Sequence, residues 1–257
     1  VKKIFLPAAL ACLLTVLIAV PTLKAKSSKS IVKSSAVTTS NEAPTAETTT
    51  AKNSTNAILE AASNLLYDSL KLDNMGLSRN VMQMAYKGHQ YLKERGSLDN
   101  SDILAIVDFS QSSKQKRLYI VDTRNYKVLM NTYVAHGKNT GLNHAERFSN
   151  IPESLQSSLG FYVTKKTYFG KHGLSLRLAG MERGFNDNAE ARAIVMHGAE
   201  YIGPHRKNSS YMGRSFGCPA VPQAQSKEAI DILKDGTCLF IYHPTQQYLR
   251  GSKILNS

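Results

Sequence analysis

Tryptophan is absent, and only three cysteines occur in 257 residues. Cys12, Cys218 and Cys238 are too few for the disulfide framework that holds small secreted domains together. There is no Cys-x-x-Cys pair and no His-Glu-x-x-His run, so the usual zinc spacings are missing and no metal site is expected. Acidic groups are scarce, with 19 Asp and Glu against 32 Lys and Arg, for a formal charge of +13. That charge suits an anionic partner, whether a wall polymer, a lipid surface or nucleic acid. No basic-and-aromatic ribonucleoprotein motif, zinc-finger spacing or heptad array accompanies it, so nucleic acid is not the expected partner. No internal repeat is present.

What is present divides into four stretches. Residues 1–25 read as an export signal: Lys2 and Lys3 precede an apolar run from Ile4 to about Thr22, and Leu23-Lys24-Ala25 places a small residue before a cleavage point. The run also approaches the ~20 residues of a spanning helix, so an uncleaved membrane anchor is the alternative. Either reading sends the body out of the cytoplasm, to a periplasm or cell-wall space. Residues 26–55 are rich in Ser, Thr, Ala and Lys with few large apolar groups, the composition of a disordered tether. Residues 1–55 carry seven lysines against two glutamates, leaving +8 for the rest. Residues 56–98 show helical spacing at Ile58, Ala61, Ala62, Leu65 and Leu66, a break at Gly76, an N-cap at Ser78 and a second amphipathic face ended by Gly96.

From residue 99 the periodicity changes to that of a mainly β domain. Apolar runs at 103–109, 117–122, 127–134, 161–164, 174–178, 193–196 and 238–242 alternate with Gly- and Asn-rich turns, predicting a β-sandwich or small barrel. One helix is predicted over 223–233. Cys238, inside an apolar run, reads as core; a Cys218–Cys238 disulfide stays open on sequence grounds.

Chemistry concentrates in Met196-His197-Gly198 and Gly213-Arg214-Ser215-Phe216-Gly217-Cys218-Pro219-Ala220. The strand ending at Met196 delivers His197, and seventeen residues separate His197 from Ser215. A thiol attacks as thiolate, and an imidazole within reach takes its proton. Cys218 is therefore the candidate nucleophile and His197 its base. Gly217 lets backbone approach a substrate and frees neighbouring N–H groups for an oxyanion hole. The helix following Pro222 brings Cys218 towards a helix N-terminus. Ser215 is expected to hydrogen-bond the loop.

These residues resemble the YkuD-type L,D-transpeptidase family, whose signature is a His, a gap in the mid-teens, then Ser or Thr, His, Gly and Cys. His197, Ser215, Gly217 and Cys218 match in type and spacing, and Ser158-Leu159-Gly160-Phe161-Tyr162-Val163 resembles an upstream strand of the family. Ala135-His136-Gly137, Phe148-Ser149-Asn150 and Tyr168-Phe169-Gly170-Lys171-His172-Gly173 are closer to the branch described as murein L,D-transpeptidase catalytic domain proteins. The resemblance covers roughly residues 100–245. Two positions depart from it: Phe216 stands where many members carry a second His, and Pro219-Ala220 where they carry an apolar residue and Asn or Arg.

The resemblance implies a cofactor-free acyl transfer on peptidoglycan stem peptides. The Cys218 thiolate attacks the third residue's carbonyl, D-alanine leaves, and an amine of a neighbouring stem resolves the thioester into a 3-3 cross-link. It also implies that the carbonyl of Gly198 orients His197. Arg214 is a candidate for a stem carboxylate, and His136, His172 and Tyr168 for lining the cleft, while His205 reads as a surface histidine. Competing readings are an L,D-carboxypeptidase or endopeptidase, and a non-catalytic wall-binding module that kept the fold.

Overall fold

Two helices lead into the β domain of this computed structural model, which describes residues 46–257, with side chains from residue 54 onward. The expected signal or anchor at 1–25, Cys12 and most of the tether lie outside the described residues. Among the described residues, no helix is long and apolar enough to cross a membrane. Helix α1 (Ala46–Ser69) starts ahead of the expected 56, so the last part of the Ser/Thr-rich stretch is helix. Polar residues such as Thr and Ser are only mildly unfavourable in a helix that packing fixes further along.

A short 3-10 turn at Leu72–Met75 ends on Gly76, whose φ of 84° suits a residue without a Cβ. Ser78 then caps α2 (Arg79–Glu94), its hydroxyl accepting from the Val81 N–H at 3.4 Å. Val81, Met82, Ala85 and Leu92 form the buried face of α2. Gly88 sits on the same face, and a Cβ there would lie 1.9 Å from the Phe161 ring. That absence lets the helix lie directly on the sheet, where Phe161 stacks on Phe240 with centroids 4.2 Å apart. The helical segment is thus part of the body, and the described residues, 46–257, belong to one compact unit.

The strands are β1 (Ile103–Asp108), β2 (Leu118–Asp122), β3 (Lys127–Thr132), β4 (Gly160–Gly170), β5 (Gly173–Gly180), β6 (Val195–Ala199), β7 (Ala220–Pro222) and β8 (Cys238–Tyr242). They make one eight-stranded sheet in the order β3-β2-β1-β8-β4-β5-β6-β7. Just past β3, the Ala135 N–H donates to Ala220 O of β7 at 2.8 Å. The two ends of the sheet therefore meet, and the mainly β expectation resolves as one nearly closed barrel-like sheet. A small apolar cluster of Tyr133, Ala135, Ala199, Ile202, Met212 and Ala220 fills this seam. Helix α3 (Gln223–Leu233) follows β7, and α4 (Gln246–Gly251) closes the chain. Buried Glu182 holds the C-terminal part to β4 by accepting from the Phe161 N–H at 2.9 Å, from the Tyr248 hydroxyl at 2.8 Å and from the Ser252 hydroxyl.

Candidate active site

His197 and the cysteine loop meet at the seam. Strand β6 carries His197 opposite Ser175 of β5 on one side and opposite Ala220 of β7, in parallel register, on the other. Cys218 stands two residues ahead of Ala220, so the pairing of β6 with β7 brings thiol and imidazole into one neighbourhood. The His197 ring is only 2% exposed. Its Nδ1 lies 2.8 Å from Gly198 O. A carbonyl can only accept, so Nδ1 carries the proton and Nε2 keeps its lone pair. Burial holds the imidazole below its ordinary pKa, the Gly198 carbonyl opposes this, and His172 adds to it. His197 is therefore neutral at neutral pH, the state a base requires.

The β4–β5 hairpin reaches over this ring. At its tip, exposed His172 stacks on His197, with centroids 4.3 Å apart and planes inclined by 19°. An open groove of about 450 Å³ runs beside the pair, lined by Lys171, His172, Gly198, Glu200, Tyr201 and Gln223 among others. Half-buried Tyr168 lies in the same cross-strand row as Ser175 and His197, with the Arg177 guanidinium 4.4 Å from its ring centre.

Cys218 is half-buried and unbonded, as is fully buried Cys238 of β8, so no Cys218–Cys238 disulfide is present. The Cys218 sulfur faces Ala193 O at 3.8 Å. Among the described residues no hydrogen bond joins it to His197. Burial pushes this thiol up from its ordinary pKa. Backbone N–H groups of Val195 and Cys218 and the Arg192 guanidinium act in the opposite direction, each favouring the thiolate.

The loop is shaped by bonds within it. Ser215 Oγ donates to Cys218 O at 2.6 Å and accepts from the Gly217 N–H at 3.1 Å. Ser215 ties the loop. The Gly217 N–H is thereby engaged within the loop. What Gly217 supplies is shape: its φ is 123°, and a Cβ would meet Gln156 O at 2.8 Å. Cys218 does not adjoin the N-terminus of α3. The three-residue β7 intervenes, and α3 begins at Gln223, because Ala220–Pro222 pair with β6 before the chain turns. Its N-terminus instead abuts β6, where a Cβ on Gly198 would meet Gln223 and Ser226.

Two expected substrate contacts have structural roles. His136 is fully buried, its Nδ1 accepting from Arg117 Nη2 at 2.8 Å and its Nε2 facing Gly141 O and Leu142 O at 3.2 and 3.1 Å. Both ring nitrogens are engaged, so it props the loop that receives Ser215, whose N–H donates to His136 O at 2.9 Å. Arg214 Nη1 donates to Lys138 O at 2.8 Å and Gly141 O at 3.3 Å, tying the same two loops. His205 is exposed in a 3-10 turn, Pro204–Arg206.

Sequence reasoning passed over Arg192. It stands in the turn before β6, where its Nη1 donates to Ser149 O at 2.7 Å and Ser158 Oγ at 3.3 Å. Its Nη2 donates to Gln156 O at 2.6 Å and Ser154 Oγ at 3.2 Å. The available signal was a lone basic residue between two alanines, five positions before His197. Among the described residues, no group of His, Cys, Asp and Glu is arranged to hold a metal ion.

A buried, carbonyl-oriented histidine beside a glycine-preceded cysteine, on one nearly closed sheet, is the layout of a thiol acyl-transfer site. A family model described as L,D-transpeptidase catalytic domain matches residues 73–242, and this chain belongs to that family. The match begins within the helical segment, consistent with α2 packing on the sheet. Among solved structures, an L,D-transpeptidase from Mycobacterium smegmatis is similar at 12% identity and a TM-score of 0.34, over 55% of this chain and 59% of that one. One from Xylanimonas cellulosilytica is similar at 17% and 0.30, over 54% and 59%. Another from Stackebrandtia nassauensis is similar at 13% and 0.32, over 65% and 68%. The chain thus spans about three fifths of the first two. No curated protein matches the sequence.

Proposed function

We propose that this protein is an exported cysteine L,D-transpeptidase that remodels peptidoglycan through a Cys218 thioester. The observation that carries the reading is the fixed tautomer of His197: the Gly198 carbonyl at 2.8 Å leaves Nε2 free to take a proton, next to the strand pairing that presents Cys218. In the proposed cycle Cys218 Sγ leaves Ala193 O and gives its proton to His197. The thiolate adds to the carbonyl of the third stem residue, and the C–N bond to D-alanine breaks. The imidazolium returns its proton to the departing amine, leaving a thioester and neutral His197. An amine of a second stem gives its proton to His197 and attacks the thioester, and the thiolate is released and reprotonated.

Backbone N–H groups of Val195 and Cys218 face the sulfur and favour its charged form. The groove beside His172 presents both a lysine and a glutamate, Lys171 and Glu200, fitting a stem that carries ammonium and carboxylate groups. Export is supported by Lys2, Lys3 and the apolar run behind them, which would also serve as a membrane anchor if retained.

Incubation of the protein with a disaccharide-tetrapeptide, followed by mass analysis of products, tests the proposal. A 3-3 linked dimer made by the wild type and not by Cys218→Ala is expected. A Cys218-dependent tripeptide without dimer would reduce the activity to that of a carboxypeptidase. The same product from both proteins would reject the Cys218 thioester, and unchanged substrate with both would leave a wall-binding module.

A further inference from the structure

Arg192 is a cation without a carboxylate. Its four hydrogen bonds all go to neutral acceptors between residues 149 and 158. Its Nε is buried and has no hydrogen-bond partner among the described residues, and it makes no salt bridge there. Holding a guanidinium in such a place is costly unless a negative charge appears nearby. The position is close to the nucleophile. A Cβ on Gly217, the residue before Cys218, would lie 3.5 Å from Arg192 Nη2 and 2.8 Å from Gln156 O, the acceptor of that same Nη2. Ala193, next in the chain, offers its carbonyl to the Cys218 sulfur and is held at a φ of 52°, in the left-handed region.

We infer that Arg192 is a positioning residue for the nucleophile: anchored to the 149–158 segment, it supplies the positive charge that stabilises Cys218 as a thiolate once His197 has taken the proton. The proton passes from Sγ to His197 Nε2, and Arg192 stays protonated throughout. The fork of four bonds keeps the charge fixed, so little reorganisation is needed when the sulfur ionises. Burial opposes the thiolate at this site, and the guanidinium counteracts it. The inference rests on Cys218 being the nucleophile, as proposed above.

The test is the pH dependence of Cys218 alkylation by iodoacetamide, read by intact mass on the wild type, Arg192→Gln and Arg192→Lys, with thermal unfolding followed in parallel. Alkylation reports the thiolate directly and needs no turnover, so a failed transpeptidase assay with normal alkylation would reject the function and not this role. In Arg192→Gln the alkylation rate at fixed neutral pH should fall about tenfold, with the profile displaced to higher pH. In Arg192→Lys, which keeps the charge and loses the fork, the profile should return most of the way even if the melting temperature drops. A wild-type profile in folded Arg192→Gln would overturn the inference. If the Gln variant does not fold, the Lys variant decides alone: a rate as low as tenfold below wild type would show that the fork, and not the charge, sets the thiol.

Discussion

At the scale of single residues, the thiol and the imidazole are both held in their neutral forms by burial. The resting site is thus a neutral pair, not a preformed thiolate–imidazolium ion pair. Alkylation of Cys218 should therefore climb through the alkaline range with no reactive plateau at mildly acidic pH. A plateau near pH 5–6 would mean that the ion pair exists at rest. Replacing His197 by alanine should lower turnover by about 10²–10⁴-fold, the usual contribution of a general base, which steady-state rates on a tetrapeptide would measure.

His136 affects stability instead of turnover. Burial and the neighbouring Arg117 guanidinium bring its pKa down to about 3 from 6.5. The unfolded chain therefore binds a proton that the folded chain refuses. This contribution is fully present above pH 6.5 and is lost as pH falls from there towards about 3. It amounts to roughly 2–3 kcal/mol lost by pH 4.5. His89, brought down to about 4 by burial, acts in the same sense. Urea unfolding of the wild type and His136→Gln at pH 7 and pH 4.5 should show a smaller acid loss in the variant. An equal loss in both would remove His136 as the cause.

Among elements, the contact of α2 with the sheet depends on Gly88. A methyl at that position would overlap the Phe161 ring, so Gly88→Ala should destabilise the fold by about 1–3 kcal/mol despite alanine's better helix propensity. A higher melting temperature in that variant would show that the helix has room to move away. This contact was hidden in the sequence, where a glycine within a helical pattern has no visible partner. The helices themselves were legible, because Ser78 and Gly76 mark a start and a stop that local chemistry enforces.

Strand cores were legible for the same reason, and strand extents were not. The run Phe161–Thr164 grew into β4, Gly160–Gly170, because Lys165 and Lys166 continue the strand through a register shift between Thr164 and Thr167. Their solvent exposure removes the apolar signal without ending the hydrogen bonding. The extension matters, since it carries His172 out to His197. Strand β7 was invisible: three residues after Cys218-Pro219 have no periodicity to read, and only pairing with β6 makes them a strand. Missing it led to the expectation that Cys218 sits close to the N-terminus of the helix that begins at Gln223.

Over the whole molecule, the sheet's near-closure converts distant sequence into one site. His172 from the β4–β5 hairpin, His197 from β6 and the cysteine loop before β7 come together through the pairing of β5, β6 and β7, and the Ala135–Ala220 pairing adds the segment of His136 from beyond β3. The His197 and Cys218 motifs could be read from spacing, since the chemistry fixes their residue types. The burial of His136 and the exposure of His172 could not, because what packs over each histidine is set by the fold. The charge of +13 also belongs to this scale. Binding to intact anionic sacculi should weaken severalfold between low and physiological salt as exposed charges are screened. Salt-independent retention in a pull-down would show that shape, not charge, governs that binding.

The most direct measurement is the mass of the protein itself after brief mixing with a tetrapeptide stem. The account predicts an adduct equal to the stem less its terminal D-alanine, located on Cys218 and absent from Cys218→Ala. An adduct on another residue, or an equal one in Cys218→Ala, would contradict the account.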